Sequence, residues 1–163
     1  MANLILWRHA DAEVESPSGK DIDRALTRRG RKDAAKMAKW LARYLPSNTE
    51  ILCSPARRCM ETATALHDIS GLEIKVAEFL TVHSSVEHIT KEVVNQESGK
   101  TIVIVGHQPN LGRLIAKLLG MKDSAVVKKG AVWWLRQRLI GGAAQHYIYT
   151  VQLPEYKATK ISY

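Results

Sequence analysis

The chain has 163 residues, of which 45% are hydrophobic, and its formal net charge is +8. This length supports one hydrophobic core, and because no linker-like stretch divides the sequence, we expect a single domain over residues 1–163. The opening apolar run is too short for a signal peptide or a membrane span, so we expect a cytoplasmic protein with no membrane partner. Cys53 and Cys59 are the only cysteines and lack zinc-site spacing, which predicts two reduced core thiols.

The basic charge leaves three interpretations open. Lys and Arg are dense at 28–32 and at 128–129, but neither cluster alternates with aromatic residues as a nucleic-acid stacking surface does. A solvated basic face is therefore favoured over nucleic-acid binding, and we expect no nucleic-acid partner. A third interpretation fits better, in which the charge attracts an acidic or phosphorylated protein.

The first half of the chain alternates strand and helix patterns. The apolar run 4–7 predicts a buried strand of a parallel sheet. Apolar residues then recur at helical spacing, which predicts a helix over about 27–44. After a short strand at 51–53, Ser54 provides a capping residue and Pro55 the first helical position, so a second helix should begin there.

The second half continues this alternation before its pattern changes. A weaker strand at 74–76 precedes Ser84 and Glu87, whose spacing is that of a capping box and predicts a third helix. The apolar run 102–105 predicts another buried strand, and Pro109 then opens a fourth helix. Beyond it, two strand-like segments are joined around a glycine pair and predict an antiparallel hairpin; the segments are 131–138 and 147–153, joined at Gly141 and Gly142.

Together these elements predict an α/β fold, a three-layer sandwich. A mostly parallel sheet is flanked by helices and ends in the C-terminal antiparallel hairpin. In sheets of this kind, ligands bind outside the carboxyl ends of the strands. His9 directly follows the first buried strand and His107 the strand 102–105, so the two side chains are expected to converge on one site.

The same sheet edge should also carry arginines. Arg8 precedes His9, while Arg57 and Arg58 fall in the first turn of the second helix, where free N–H groups and the helix dipole favour an anion. Guanidinium groups match phosphate geometry, and of the two helix residues we expect Arg58 to enter the site and Arg57 to face solvent or an ion pair. The pocket therefore suits a phosphoryl group, with one histidine as nucleophile at phosphorus.

These segments resemble the three signature segments of the histidine phosphatase superfamily. They are Arg8-His9-Ala10, Ser54-Pro55 with Arg58, Thr62 and Ala63, and Gly106-His107 with Pro109 and Leu111. The short length and the segment Arg24-x-Leu26-Thr27-x-x-Gly30 look most like the small SixA-type phosphohistidine phosphatases. Three motifs in the right order make this resemblance specific.

The resemblance implies a role for each matching residue. His9 becomes the phosphorylated nucleophile, and Arg8, Arg58 and His107 complete the phosphate pocket as catalytic residues. Three further residues are expected to contact substrate: Arg24, Ser54 and His83. The family needs no metal or organic cofactor for this chemistry. This chain carries Ala10 where glycine is usual, which adds a methyl group near the phosphate loop.

A second departure from the family pattern bears on the substrate. Relatives that hydrolyse phosphate esters usually carry a general acid after the third strand, but no carboxylate follows Leu80 directly here, and Glu78 is the nearest candidate. An alkoxide leaves slowly without an acid, whereas the imidazole of a phosphohistidine leaves as a neutral ring. We therefore expect a phosphohistidine protein as substrate, such as a phosphorelay domain. The alternatives are a phosphatase acting on small phosphoesters and a non-catalytic phosphoprotein-binding module.

Overall fold

A computed structural model describes residues 2–154 of the chain, and six strands form one sheet within them. The strand order is β3-β2-β4-β1-β5-β6. The strands are β1 (Asn3–Arg8), β2 (Thr49–Cys53), β3 (Ile74–Val76), β4 (Thr101–Gly106), β5 (Val132–Ile140) and β6 (Ala143–Gln152). The first four run parallel to one another, and β5 pairs antiparallel with both β1 and β6. The predicted mostly parallel sheet with a C-terminal hairpin is confirmed.

Helices cover both faces of this sheet. They are α1 (Arg28–Tyr44), α2 (Arg57–Ser70), α3 (Val86–Val94) and α4 (Asn110–Leu119), with short 3₁₀ turns at Asp21–Asp23 and Glu78–Leu80. Successive residues of β1 point to opposite faces, so Leu4 and Leu6 pack with α3 and α4 while Ile5 and Trp7 pack with α1 and α2. The two buried clusters make the three-layer α/β sandwich that the alternating pattern predicts.

The strand register brings three strand ends to one edge of the sheet. Arg8 pairs with Gly106 across β1 and β4, and Cys53 pairs with Val105 across β2 and β4. Because the strands are parallel and end level, the residues that follow them meet at the carboxyl edge. The fold therefore places the loops after β1, β2 and β4 side by side.

Two of the predicted helix starts are wrong. Ser54 does not cap α2, which begins at Arg57 after Ala56 and has no side-chain cap. The hydroxyl of Ser54 is instead 2.8 Å from Nε2 of His107, a tertiary partner that the local pattern cannot reveal. The cap of α3 is Ser85 rather than Ser84, since the Ser85 hydroxyl accepts from the backbone N–H of His88.

The predicted C-terminal hairpin is present, but its strands extend to the turn: β5 ends at Ile140 rather than 138, and β6 begins at Ala143 rather than 147. The β5–β6 turn consists of Gly141 and Gly142, with φ of 57° and 81°, the left-handed conformation that tight hairpin turns require. Cys53 and Cys59 are buried free thiols, and burial raises the pKa of both. Within the described residues, no helix has the length and apolar character needed to cross a membrane.

Candidate active site

Three polar side chains follow the ends of the central strands. The backbone N–H of His9 donates to the carbonyl of Gly106 at 3.1 Å, and that of Ser54 donates to the carbonyl of Val105 at 3.0 Å. These bonds extend the strand pairing by one residue and fix where the side chains start. The rings of His9 and His107 approach edge to face with centroids 5.5 Å apart. The expected convergence of the two histidines is present.

His9 is held in the form that a nucleophile needs. Its Nδ1 lies 2.8 Å from the carbonyl oxygen of Ala10, an acceptor, so Nδ1 carries the ring proton and the Nε2 lone pair is free. Burial lowers the pKa of His9 to about 4, with the charges of Arg58 and Arg8 acting in the same direction and the bond to Ala10 opposing them. The ring is therefore neutral near pH 7.

His107 is also neutral, and both of its ring nitrogens have hydrogen-bond partners. Arg58 Nη2, which can only donate, lies 3.4 Å from Nδ1 of His107, so Nδ1 is the acceptor. That leaves the proton on Nε2, which donates to the hydroxyl of Ser54. Burial, and then the charge of Arg58, lower the pKa of His107 to about 3. A bound phosphate dianion would oppose both effects and favour the charged ring.

The buried Arg58 and the half-buried Arg8 both have an unused donor. Arg58 is only 3% exposed, and Arg8 donates from Nη1 to the carbonyl of Val127 at 3.0 Å. The Nε atoms of both are buried and have no hydrogen-bond partner among the described residues. A buried donor without a partner costs free energy, so both Nε atoms are suited to donate to a bound anion. Arg57 instead faces outward and pairs with Glu61 at 3.6 Å, as predicted.

Asp21 is a site residue that the sequence analysis missed. Its backbone carbonyl and its Oδ2 accept from Arg58 at 2.9 and 3.0 Å, although the two residues are 37 positions apart. Its Oδ1 accepts from Arg24 Nη1 at 2.9 Å, and Arg24 Nε donates to the carbonyl of Glu13. Arg24 thus reaches the site through Asp21. The hydrogen bond from Arg24, followed by that from Arg58, holds the pKa of Asp21 below its usual range against the effect of burial.

A pocket of about 190 Å³ adjoins Arg58 and His107, whereas His9, Arg8 and Arg24 are not on its lining. Of the predicted residues, Ser54, Arg58, His83 and His107 line it. The rest of its lining includes Asp21, Ile22 and Val82, whereas Glu78 is exposed and lies outside it. Within residues 2–154, no group of three or more metal-ligating side chains is assembled.

Thr62 positions the loop that carries His9. Its buried hydroxyl accepts from the backbone N–H of Ala10 at 3.1 Å and donates to the carbonyl of Arg58 at 2.8 Å. It therefore links the loop that carries His9 to α2, which carries Arg58. The Ala10 methyl group packs with Leu26 and Ala34 in a small apolar cluster.

Comparison with known proteins gives concordant results. The sequence profile of the histidine phosphatase superfamily (branch 1) matches residues 4–81. A phosphohistidine phosphatase SixA homolog of Haemophilus influenzae is 31% identical over 134 residues, which cover 74% of this chain and 79% of that protein. The structure of the protein histidine phosphatase SixA with tungstate superposes with a TM-score of 0.77 at 21% identity, over 93% of this chain and 97% of that one. A mycobacterial glucosyl-3-phosphoglycerate phosphatase gives a TM-score of 0.71 at 16% identity, over 92% and 98% of the two chains.

Proposed function

Since this chain belongs to the histidine phosphatase superfamily and is a hydrolase, we propose that it removes phosphate from phosphohistidine on a protein, with His9 as the covalent nucleophile. The observation that carries this proposal is the state of His9. Its ring is buried and neutral, and its Nε2 is left free by the bond from Nδ1 to Ala10. The unpartnered Nε atoms of Arg8 and Arg58 support the proposal, since the charges of both arginines act on His9.

The proposed reaction has two displacements at phosphorus. Nε2 of His9 attacks, the bond from phosphorus to the substrate nitrogen breaks, and its electron pair stays on the departing imidazole. Water then attacks the phosphorylated His9, which releases inorganic phosphate and regenerates the neutral ring. In both steps Arg8, Arg58 and His107 face the phosphoryl oxygens, where the transition-state charge is spread.

Two observations support a phosphorus–nitrogen bond as the target. Glu78, the nearest candidate for a general acid after β3, is exposed and does not line the pocket. An ester oxygen that leaves without acid assistance reacts more slowly by a factor of roughly 10²–10⁴. In addition, the Haemophilus influenzae relative is named as a phosphohistidine phosphatase homolog. The mycobacterial fold neighbour acts on an ester, so the fold by itself does not choose between the two bonds.

The partner we propose is an acidic cytoplasmic phosphoprotein, such as a phosphorelay domain in signal transduction. A cleft of about 420 Å³ adjoins the loop that carries His9. Lys128 and Lys129 line it together with Arg29 and two carboxylates, Asp11 and Asp33, and Lys129 pairs with Asp11 at 3.1 Å. The backbone N–H of Gly130, the next residue, donates to the carbonyl of His9 at 3.1 Å. Positive charge this close to the site would speed the encounter with an acidic partner and would be screened by salt.

The experiment that tests the proposal compares substrates that differ in the bond to phosphorus. We expect kcat/KM on a histidine-phosphorylated protein to exceed that on a sugar phosphate by at least about 10²-fold, the factor that general-acid assistance supplies. We measure kcat/KM of His9→Asn in parallel, and the difference from wild type gives the part of the activity that depends on His9. Comparable kcat/KM on the two substrates would contradict the assignment and favour the phosphoester alternative.

A further inference from the structure

The pocket contains a carboxylate where an anionic substrate must bind. Asp21 accepts hydrogen bonds from both Arg58 and Arg24, and among the described residues it is the only carboxylate on the lining of this pocket. Its side chain remains 54% exposed at the pocket opening. The negative charge of Asp21 disfavours the binding of a phosphate nearby, so any benefit from Asp21 must come in a later step of the reaction.

A leaving group bound in this pocket would lie near Asp21. His9 is not on the pocket lining, but its ring lies 5.5 Å from the ring of His107, which is. The substrate ring would occupy the pocket beside Asp21 and His83, since both line it. Asp21 is bonded to Arg24 through Oδ1 and to Arg58 through Oδ2, and each carboxylate oxygen has a further lone pair that can accept from a substrate.

We propose that Asp21 is a specificity-determining contact that accepts a hydrogen bond from the distal ring nitrogen of the substrate's phosphohistidine and so keeps that nitrogen protonated. This inference rests on the proposed function. It assigns recognition of the substrate ring to a residue outside the strand ends, on the 3₁₀ turn Asp21–Asp23.

The proton on the distal nitrogen determines whether the leaving group departs as a neutral imidazole or as an anion. With that proton in place, breaking the phosphorus–nitrogen bond returns the electron pair to the proximal nitrogen and releases a neutral imidazole. Without it, the same step releases an imidazolate anion, a much poorer leaving group. No proton moves in the favoured route: it stays on the distal nitrogen throughout, and Asp21 only stabilises it there.

The surroundings of Asp21 keep it charged for this task. Arg24 lies on its own loop, Arg58 reaches it from α2, and His107 and His83 face the same pocket from the loop after β4 and the segment after β3. The hydrogen bonds from the two arginines hold the pKa of Asp21 low, so it is an acceptor and not a proton donor near pH 7. Ile22 and Val82 add apolar side chains to the lining of the same pocket.

The test is the pH dependence of Asp21→Asn on the full-length protein. We measure kcat/KM at about pH 5 and about pH 8, on either side of an ordinary imidazole pKa, with a histidine-phosphorylated protein and with p-nitrophenyl phosphate. On phosphohistidine, the loss relative to wild type should be about tenfold greater at the higher pH, which corresponds to one pKa unit at the distal nitrogen. On the aryl ester, which has no second ring nitrogen, the loss should be the same at both pH values.

Two further variants separate this role from a structural one. Asp21→Glu keeps the carboxylate and should recover activity at the higher pH, and Asp23→Asn, on the same turn, should retain the wild-type pH profile. An equal loss of kcat/KM on both substrates, or an equal loss at both pH values, would overturn the inference. Asp21 would then only hold Arg58 in position. A wild-type protein that shows no preference for phosphohistidine would overturn the proposed function first.

Discussion

The nucleophile should remain active in acid far below the range of an ordinary histidine. At pH 5 an imidazole with a pKa of about 6.5 is only about 3% neutral. The buried His9, with its pKa lowered to about 4, is about nine-tenths neutral at that pH. Lowering the pH from 7.5 to about 5 should therefore cost the nucleophile little reactivity, where an exposed histidine would lose roughly thirtyfold.

Nuclear magnetic resonance measures this directly. Ring-labelled histidine in the free protein should give a His9 signal, assigned by its loss in His9→Asn, that titrates with a midpoint near the lowered value. Below that midpoint the signal should change from the form protonated at Nδ1 alone to the doubly protonated ring. A midpoint near 6.5, or a proton on Nε2 in the neutral form, would refute the reasoning that burial and the bond to Ala10 prepare the nucleophile.

Three further predictions follow from particular contacts. Arg58→Ala removes donors aimed at the phosphoryl group and should lower kcat by roughly 10²–10³, while Arg57→Ala, the neighbouring arginine paired with Glu61, should stay near wild type in a steady-state assay. Gly30→Ala would place a Cβ onto the backbone carbonyl of Asp11, two residues after His9. The free energy of unfolding, measured by denaturant titration, should fall by about 1–3 kcal/mol, and activity should fall with it. Lys128→Gln should weaken the salt dependence of kcat/KM on an acidic phosphoprotein without changing hydrolysis of p-nitrophenyl phosphate. An unchanged salt dependence would exclude Lys128 and its cleft from docking.

Most of the fold could be predicted because its signals are local. The buried runs in β1 and β4 lose the alternation of a half-exposed strand, since helices cover both faces of the sheet. The glycine pair at the β5–β6 turn supplies the left-handed conformation that a tight hairpin needs. The convergence of His9 and His107 then follows from the parallel register, without any knowledge of side-chain contacts.

What the sequence could not predict depends on partners distant along the chain. Ser54 has the local pattern of a helix cap, but the buried ring of His107, 53 positions away, takes its hydroxyl. Asp21 lies in a polar surface turn, and only the fold brings it to Arg58. Thr62 similarly shows its role only through the bond from Ala10. These contacts were invisible to periodicity and capping rules because those rules describe neighbours along the chain.

The central claim is that phosphate passes through a covalent bond to His9. Rapid acid-free quenching after mixing with a labelled phosphohistidine protein or phosphoramidate, followed by peptide mapping, tests it most directly. We expect acid-labile, base-stable label on the peptide that contains His9, with none on that peptide in His9→Asn and strongly reduced turnover in that variant. Label on another residue, or near-normal turnover in His9→Asn, would contradict it.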